Sequence, residues 1–299
     1  MVRLAFIGGA GAYHARAFAG LINEHDRQAW AAAGMPAYDR EPLAGAEVVA
    51  IWDPDRAEAQ RLARLAGIGE VLDKMESAIG RVDGVLVLDD LTMQHQNRAR
   101  PFLEAGISTF IDKPLSPDPA EAADLIALAR KSGAPLMSCS ALRYSRELAE
   151  ARDDLANIGR IVCATATGPS ELVFYGIHPL ELAHTVMGPG IEWVQNIGDQ
   201  NNALVRCAYP DGRSIVLQVL GSAQPGLQAA FFGEKGWRHV NVTDAGHFYQ
   251  TMLAQFVRTI ETREVPIPLD ITLEIIKILA AGKSSQQQGG LRIALSEVA

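Results

Sequence analysis

The chain has 299 residues, 48% hydrophobic and 21% charged, and a formal net charge of −8. That length predicts two domains, and an acidic balance without a basic run excludes nucleic acid and anionic membrane as main partners. Three scattered cysteines indicate no disulfide framework or zinc knuckle, and no apolar stretch nears the roughly 18 residues of a membrane span. The N-terminal apolar run is short and interrupted by glycines, so no secretory leader and a cytoplasmic protein are expected.

Residues 4–7 are a short β-like run followed by Gly8-Gly9-Ala10-Gly11-Ala12-Tyr13-His14. Helical spacing begins there, with Phe18, Leu21, Ile22, His25 and Ala29 along one face as far as Gly34 and Pro36. Strand, glycine turn and helix form the context in which backbone N–H groups and a helix N-terminus meet a dinucleotide pyrophosphate. G-x-G-x-x-G does not fit, because the turn is about two residues short, and a plain tight turn reads equally well. Residues 27–45 carry Gly34, Pro36, Pro42 and Gly45 and read as a surface excursion. The second strand covers 46–52. At its end Asp53 can accept ribose hydroxyls and repel a 2′-phosphate, or cap the helix starting near Arg56.

A helix over 56–66, a strand over 69–72 and a short segment over 75–79 lead to a buried-type strand over 82–88, ended by Asp89-Asp90-Leu91-Thr92. His95 opens a helix that Gly106 closes. Residues 107–111 are again β-like and run into Asp112-Lys113-Pro114. A lysine at the carboxyl end of a buried strand lies where open α/β sheets bind ligands, and it is also the ordinary form of a solvated surface charge. A helix over 119–131 and a strand over 134–140 complete an alternation that predicts an α/β domain with a doubly wound, Rossmann-type parallel sheet over residues 1–140.

From 141 to 299 the pattern changes. Helices are expected over 145–156 and 176–187, the second carrying His178 and Glu181, with strands at 160–167 and repeatedly between 191 and 242. Helices over 245–261 and 270–284 and a strand over 291–295 follow. Val205, Cys207 and Tyr209, then Ile215, Leu217 and Val219, alternate with more polar residues, so one face of a mostly antiparallel open sheet is buried in an α+β domain. Val216 and Leu220 add apolar area to the other face, which predicts a homo-oligomer, dimer or tetramer.

The ordered set of these motifs resembles the glucose–fructose oxidoreductase/inositol dehydrogenase (Gfo/Idh/MocA) family across nearly the whole chain. The resemblance rests on the glycine turn with His14, Asp53-Pro54, residues 89–95, Asp112-Lys113-Pro114 where the family usually has Glu-Lys-Pro, Leu142-Arg143-Tyr144, Tyr175-Gly176-Ile177-His178, Gly233-Glu234-Lys235-Gly236-Trp237 and the 281–290 helix end. It implies an oxidoreductase with NAD, less so NADP, over the first domain, and a sugar, cyclic polyol or sugar derivative as substrate. The implied cofactor contacts are Gly8, Gly9, Gly11, Ala12 and Asp53, then Asp90, Thr92 and His95, then Asp112 and Lys113. Arg143, Tyr175 and Glu181 would contact substrate.

His178 would be the base that takes the hydroxyl proton, a role that suits an imidazole of reference pKa ~6.5, and Lys113 would stabilise the developing alkoxide on the same oxygen. Otherwise His178 is an ordinary helix-start histidine. Many family dehydrogenases have an aspartate four residues before this histidine, where Phe174 stands here. One helical turn after His178, Glu181 is the candidate to orient the ring or to bind substrate hydroxyls. Some relatives retain NAD and cleave glycosidic bonds, and others bind the dinucleotide as regulators; both remain alternatives.

Overall fold

The computed structural model describes residues 1–89 and 92–298. In the first sheet the strands β1 (Val2–Ile7), β2 (Ala46–Trp52), β3 (Glu70–Val71), β4 (Gly84–Val87), β5 (Ser108–Ile111) and β6 (Leu136–Met137) lie in the order β3-β2-β1-β4-β5-β6, every pair parallel. All four residues of both β4 and β5 are buried. This is why these segments read as continuous apolar runs: a parallel strand is covered on both faces. The intervening helices are α1 (Tyr13–Ile22), α2 (Arg27–Ala32), α3 (Arg56–Ala66), α4 (His95–Glu104) and α5 (Pro119–Ser132).

One expectation is corrected here. The single helix expected from Tyr13 to beyond Ala29 stops at Ile22, because Asn23 turns its amide to β2: Nδ2 donates to the Val48 carbonyl at 3.0 Å and Oδ1 accepts the Val48 N–H at 2.9 Å. Asp26 then caps a new helix, α2, through the N–H groups of Gln28 and Ala29. The excursion over 27–45 is anchored as well. Trp30 is 1% exposed, its indole N–H donates to the Pro36 carbonyl at 2.7 Å, and a Cβ on Gly20 would lie 2.8 Å from its ring.

In the second sheet β7 (Ile161–Pro169), β8 (Trp193–Asn196), β9 (Asn202–Ala208), β10 (Ser214–Leu220), β11 (Leu227–Gly233), β12 (Gly236–Val242) and β13 (Ile293–Ala294) lie in the order β12-β11-β7-β10-β9-β8-β13. Only β10 and β7 pair in parallel; the other pairs are antiparallel. Val205, Cys207, Ile215, Leu217, Val219, Ala229 and Phe231 are buried on one face. Helix α8 (Ile177–Met187) lies close on it: a Cβ on Gly168 would come within 2.9 Å of Pro179. Burial raises the Cys207 thiol to about 12, with Glu274 adding to the effect. The expected helix over 145–156 is two short ones, α6 (Arg146–Glu150) and α7 (Arg152–Asn157). Helices α9 (Ala245–Thr262) and α10 (Leu269–Gln287) complete the set.

Contacts group the chain into two units. The first holds Met1–Ser116, Ala123–Ser138 and Tyr249–Leu269; the second holds Pro117–Ala122, Cys139–Phe248 and Asp270–Ala299. A single cut after residue 140 therefore differs from the observed grouping in three segments, 117–122, 139–140 and 249–269. Most of α9 belongs to the first unit: a Cβ on Gly84 would lie 2.5 Å from Ile260, and the Phe256 ring meets Phe110 at a tilt with centroids 5.8 Å apart. Among the described residues no helix is long and apolar enough to cross a membrane.

Candidate active site

In the first unit the candidate residues collect at the carboxyl ends of four neighbouring strands, β2, β1, β4 and β5. Gly8 and Gly9 follow β1 with φ of +76° and +71°, where a side chain is strained. A Cβ on Gly9 would also sit 1.9 Å from the Leu88 carbonyl oxygen. Gly11 is different, since the nearest atom to a Cβ there would be 3.8 Å away. The shortened turn closes through Ala12 N–H to the Gly9 carbonyl at 2.8 Å. Ala12 then starts α1 with no side-chain cap and no acidic residue in the first turn, which leaves its N–H groups without a competing carboxylate. Such a cradle fits a dinucleotide phosphate.

Asp53 braces that turn. Its Oδ2 accepts the Ala10 N–H at 2.8 Å, and its Oδ1 accepts the Asp55 N–H at 2.8 Å. The cap of α3 is Asp55, not Asp53: Asp55 accepts from the N–H groups of Ala57 and Glu58. Past β4, buried Asp89 accepts the N–H groups of Thr92 and Gln94, both at 3.2 Å, and the Thr92 hydroxyl. Arg98 pairs with the same carboxylate at 2.8 Å and lies over the Trp52 ring at 5.5 Å. Asp90, expected among the cofactor contacts, lies outside the described residues. His95 Nδ1–H donates to the Pro114 carbonyl at 2.9 Å, which can only accept, and its buried Nε2 has no hydrogen-bond partner among the described residues.

Asp112 and Lys113 end β5. Lys113 is 3% exposed, so it is not a solvated surface charge. Asp112 Oδ1 accepts the Lys113 N–H at 2.8 Å, and Oδ2 pairs with His14 Nδ1 at 2.6 Å. Burial opposes the Asp112 charge, but His14 foremost, then Lys113 and His95, outweigh it and hold the carboxyl well below the usual carboxylate range. The other His14 nitrogen meets the Tyr249 hydroxyl at 3.1 Å, and the ring stacks on Phe18 at 5.3 Å. Nothing in the sequence pattern marked Tyr249.

The second unit gathers the other candidates around α8. His178 is 6% exposed, and its Nδ1 lies 2.8 Å from the hydroxyl of Ser140, which is fully buried. The Tyr175 ring meets the imidazole edge to face, centroids 4.7 Å apart. Orientation of His178 by Glu181 is corrected. Although one turn along the same helix, Glu181 accepts the Ser140 N–H at 2.8 Å with Oε1 and pairs with Arg143 Nε through Oε2. Burial opposes the Arg143 charge, and Glu181 more than restores it, raising the guanidinium. Arg143 also donates to the Thr185 hydroxyl at 3.2 Å, which in turn donates to the Glu181 carbonyl at 2.6 Å. Ser140 is the residue that sequence reasoning missed.

A glycine turn, an aspartate at the end of β2 and a buried strand-end lysine on a parallel sheet fit a dinucleotide-binding domain. Residues 2–139 match the sequence profile of the Gfo/Idh/MocA family, described as an oxidoreductase family with an NAD-binding Rossmann fold. A protein of Amycolatopsis mediterranei (strain S699), named as the oxidoreductase subunit of a UDP-kanosamine synthase, is 33% identical over 115 residues. That match spans 38% of this chain and about a third, 32%, of the relative's length.

Solved structures extend the likeness to the whole chain. A Thermotoga maritima protein described as a dehydrogenase superposes with a TM-score of 0.82 at 19% identity, covering 100% of both chains. The scyllo-inositol dehydrogenase of Lactobacillus casei, solved with bound NAD(H) and scyllo-inositol, gives 0.81 at 15% identity over 99% of this chain and 100% of that one. At such identities the likeness is one of fold, a Rossmann-like parallel sheet joined to a mostly antiparallel one.

Proposed function

We propose that the protein is an NAD-dependent dehydrogenase acting on a CH–OH group of a sugar, cyclic polyol or sugar derivative. The observation that carries this reading is Lys113, an ammonium side chain buried at the carboxyl end of a parallel strand. Burying such a charge is costly, and that cost is accepted chiefly where the charge is used. His178, buried and held by a hydroxyl, supports the reading from the second unit. A bound nicotinamide ring would accept the hydride from the carbinol carbon. His178 would take the hydroxyl proton, and the Lys113 ammonium would stabilise negative charge developing as the carbonyl forms. Gly8, Gly9, Gly11 and Ala12 cradle the phosphates, with Thr92 and His95 further along the sheet edge. Arg143, Glu181 and Tyr175 frame the substrate side around His178. The names of the similar proteins, a scyllo-inositol dehydrogenase and the oxidoreductase subunit of a UDP-kanosamine synthase, support the polyol and sugar class.

Preference for NAD over NADP follows from Asp53. Each of its oxygens accepts one backbone N–H and retains room for a ribose hydroxyl, while its charge repels a 2′-phosphate. Arg56, the nearby cation that could reverse the preference, is paired with Asp73 at 2.6 Å. Calorimetric titration with both cofactors should give the tighter binding to NAD, and tighter NADP binding sinks the preference. A panel of polyols, sugars and nucleotide sugars, followed at the absorbance of reduced nicotinamide, should yield a substrate. Glycoside cleavage without net cofactor turnover would replace the dehydrogenase by an NAD-retaining hydrolase, and no redox change across the panel would favour a regulator.

The second sheet's outer face supports a homo-oligomer. Phe232 and Trp237, opposite each other on β11 and β12, are 40% and 61% exposed, and Leu204 on β9 is 37% exposed. Light scattering at micromolar concentration should give a multiple of 32.2 kDa; the monomer mass refutes association.

A further inference from the structure

Resting on the base assignment above, we propose that Ser140 is the positioning residue of His178, holding the imidazole with its proton on Nδ1 so that Nε2 is the nitrogen that takes the substrate proton. Phe174, one turn before His178 in sequence, brings no carboxylate to the ring, and Glu181 is committed to Arg143 and to the Ser140 N–H. What meets Nδ1 is the Ser140 hydroxyl at 2.8 Å.

Ser140 is fixed on both sides of its own Cα. Its N–H is tied to Glu181, and its Oγ accepts the Leu142 N–H at 3.3 Å where the chain enters the short helical turn Ala141–Tyr144. Both anchors leading to α8, Glu181 and His178, stand on the same helix three residues apart. The Glu181–Arg143–Thr185 set locks the first of them. The serine therefore clamps the imidazole from a backbone that cannot drift.

The base role selects the proton's place, because the hydroxyl itself can donate or accept. One Ser140 lone pair receives the Leu142 N–H, and the second is open to Nδ1–H. In the imidazolium both ring nitrogens carry protons, so Nδ1–H must donate and Oγ must accept. Holding the same Nδ1–H···Oγ bond in the neutral ring lets His178 gain a proton at Nε2 and lose it again with no rearrangement of its partner. The reverse arrangement, Ser140 O–H donating to Nδ1, would place the proton on Nε2 and abolish the base.

Histidine labelled with ¹⁵N in the full-length protein reads this directly, with the His178 signals assigned by their loss in His178→Asn. Long-range ¹H–¹⁵N spectra above the titration of the ring should show His178 protonated at Nδ1 in the wild type. In Ser140→Ala it should shift to the Nε2–H form, and in Ser140→Thr it should keep the wild-type form. With a substrate in hand, Ser140→Ala should lower kcat by about 100-fold with KM little changed, the scale of a misplaced catalytic group, and Ser140→Thr should retain most of the activity. A wild-type His178 protonated at Nε2, or a proton position indifferent to Ser140→Ala, overturns the assignment. If Ser140→Ala does not fold, the wild-type and Ser140→Thr spectra still decide. Full turnover in His178→Asn would instead remove the base reading while leaving the Ser140 contact, measured by the spectra, to stand or fall separately.

Discussion

Two buried histidines are held at the same ring nitrogen by opposite chemistry. In the first unit His14 Nδ1 meets the Asp112 carboxylate at 2.6 Å, and its other nitrogen meets the Tyr249 hydroxyl. In the second unit His178 Nδ1 meets the Ser140 hydroxyl at 2.8 Å, while the nearest acidic residue on its helix is consumed by an arginine. A buried carboxylate favours the protonated form of an imidazole partner, because opposite charge stabilises it. A hydroxyl imposes no such preference, since it can donate or accept. The first arrangement pins the ring beside Lys113, and the second suits the proton exchange proposed for His178. On that proposal a nearby carboxylate does not mark the catalytic histidine in this chain.

The comparison breaks most visibly at His178. His178→Asn should reduce turnover by about 10²- to 10⁴-fold, the usual contribution of a general base, with NAD affinity unchanged by calorimetry; near-normal turnover would make the two histidines equivalent. Next in size is Asp112→Asn, which should cost about 3 kcal/mol of stability in urea unfolding at pH 7, the upper range for a bond to a charged group. The sign with pH follows from the depressed carboxyl. Its contribution is complete above the unfolded value of about 3.9 and is lost as pH falls through the lower folded value. The gap between wild type and variant should therefore close in strong acid, and a gap that persists there would show that charge is not what Asp112 supplies. Smallest is Tyr249→Phe, which removes one hydrogen bond to His14 and should cost about 1 kcal/mol by the same measurement. A larger loss would mean that the hydroxyl, rather than the carboxylate, pins the ring.

The parallel sheet was legible because its strands are short apolar runs punctuated by glycine and aspartate, and the glycine turn and Asp112-Lys113-Pro114 fell at strand ends by counting alone. The antiparallel face was legible from alternation, as the burial of Val205, Cys207, Ile215 and Leu217 shows. What escaped were contacts fixed by tertiary neighbours. Asn23 ends α1 only because β2 offers both a donor and an acceptor at Val48. Glu181 shares a helical face with His178, but spacing cannot tell that Arg143 takes its carboxylate. Ser140 is one serine among many, and its meaning depends on a ring 38 positions away.

The grouping of Tyr249–Leu269 with the first unit bears on how the chain is made. A ribosome releases residues 1–138 long before α9, so the parallel sheet emerges without Tyr249 to hold His14 and without Phe256 and Ile260 to cover Phe110 and Gly84. The usual order, in which an N-terminal domain folds as a unit while the rest is synthesised, would here leave the first unit's sheet without the cover of α9 until residue 269 has been added. By then almost all strands of the second unit's sheet have been made.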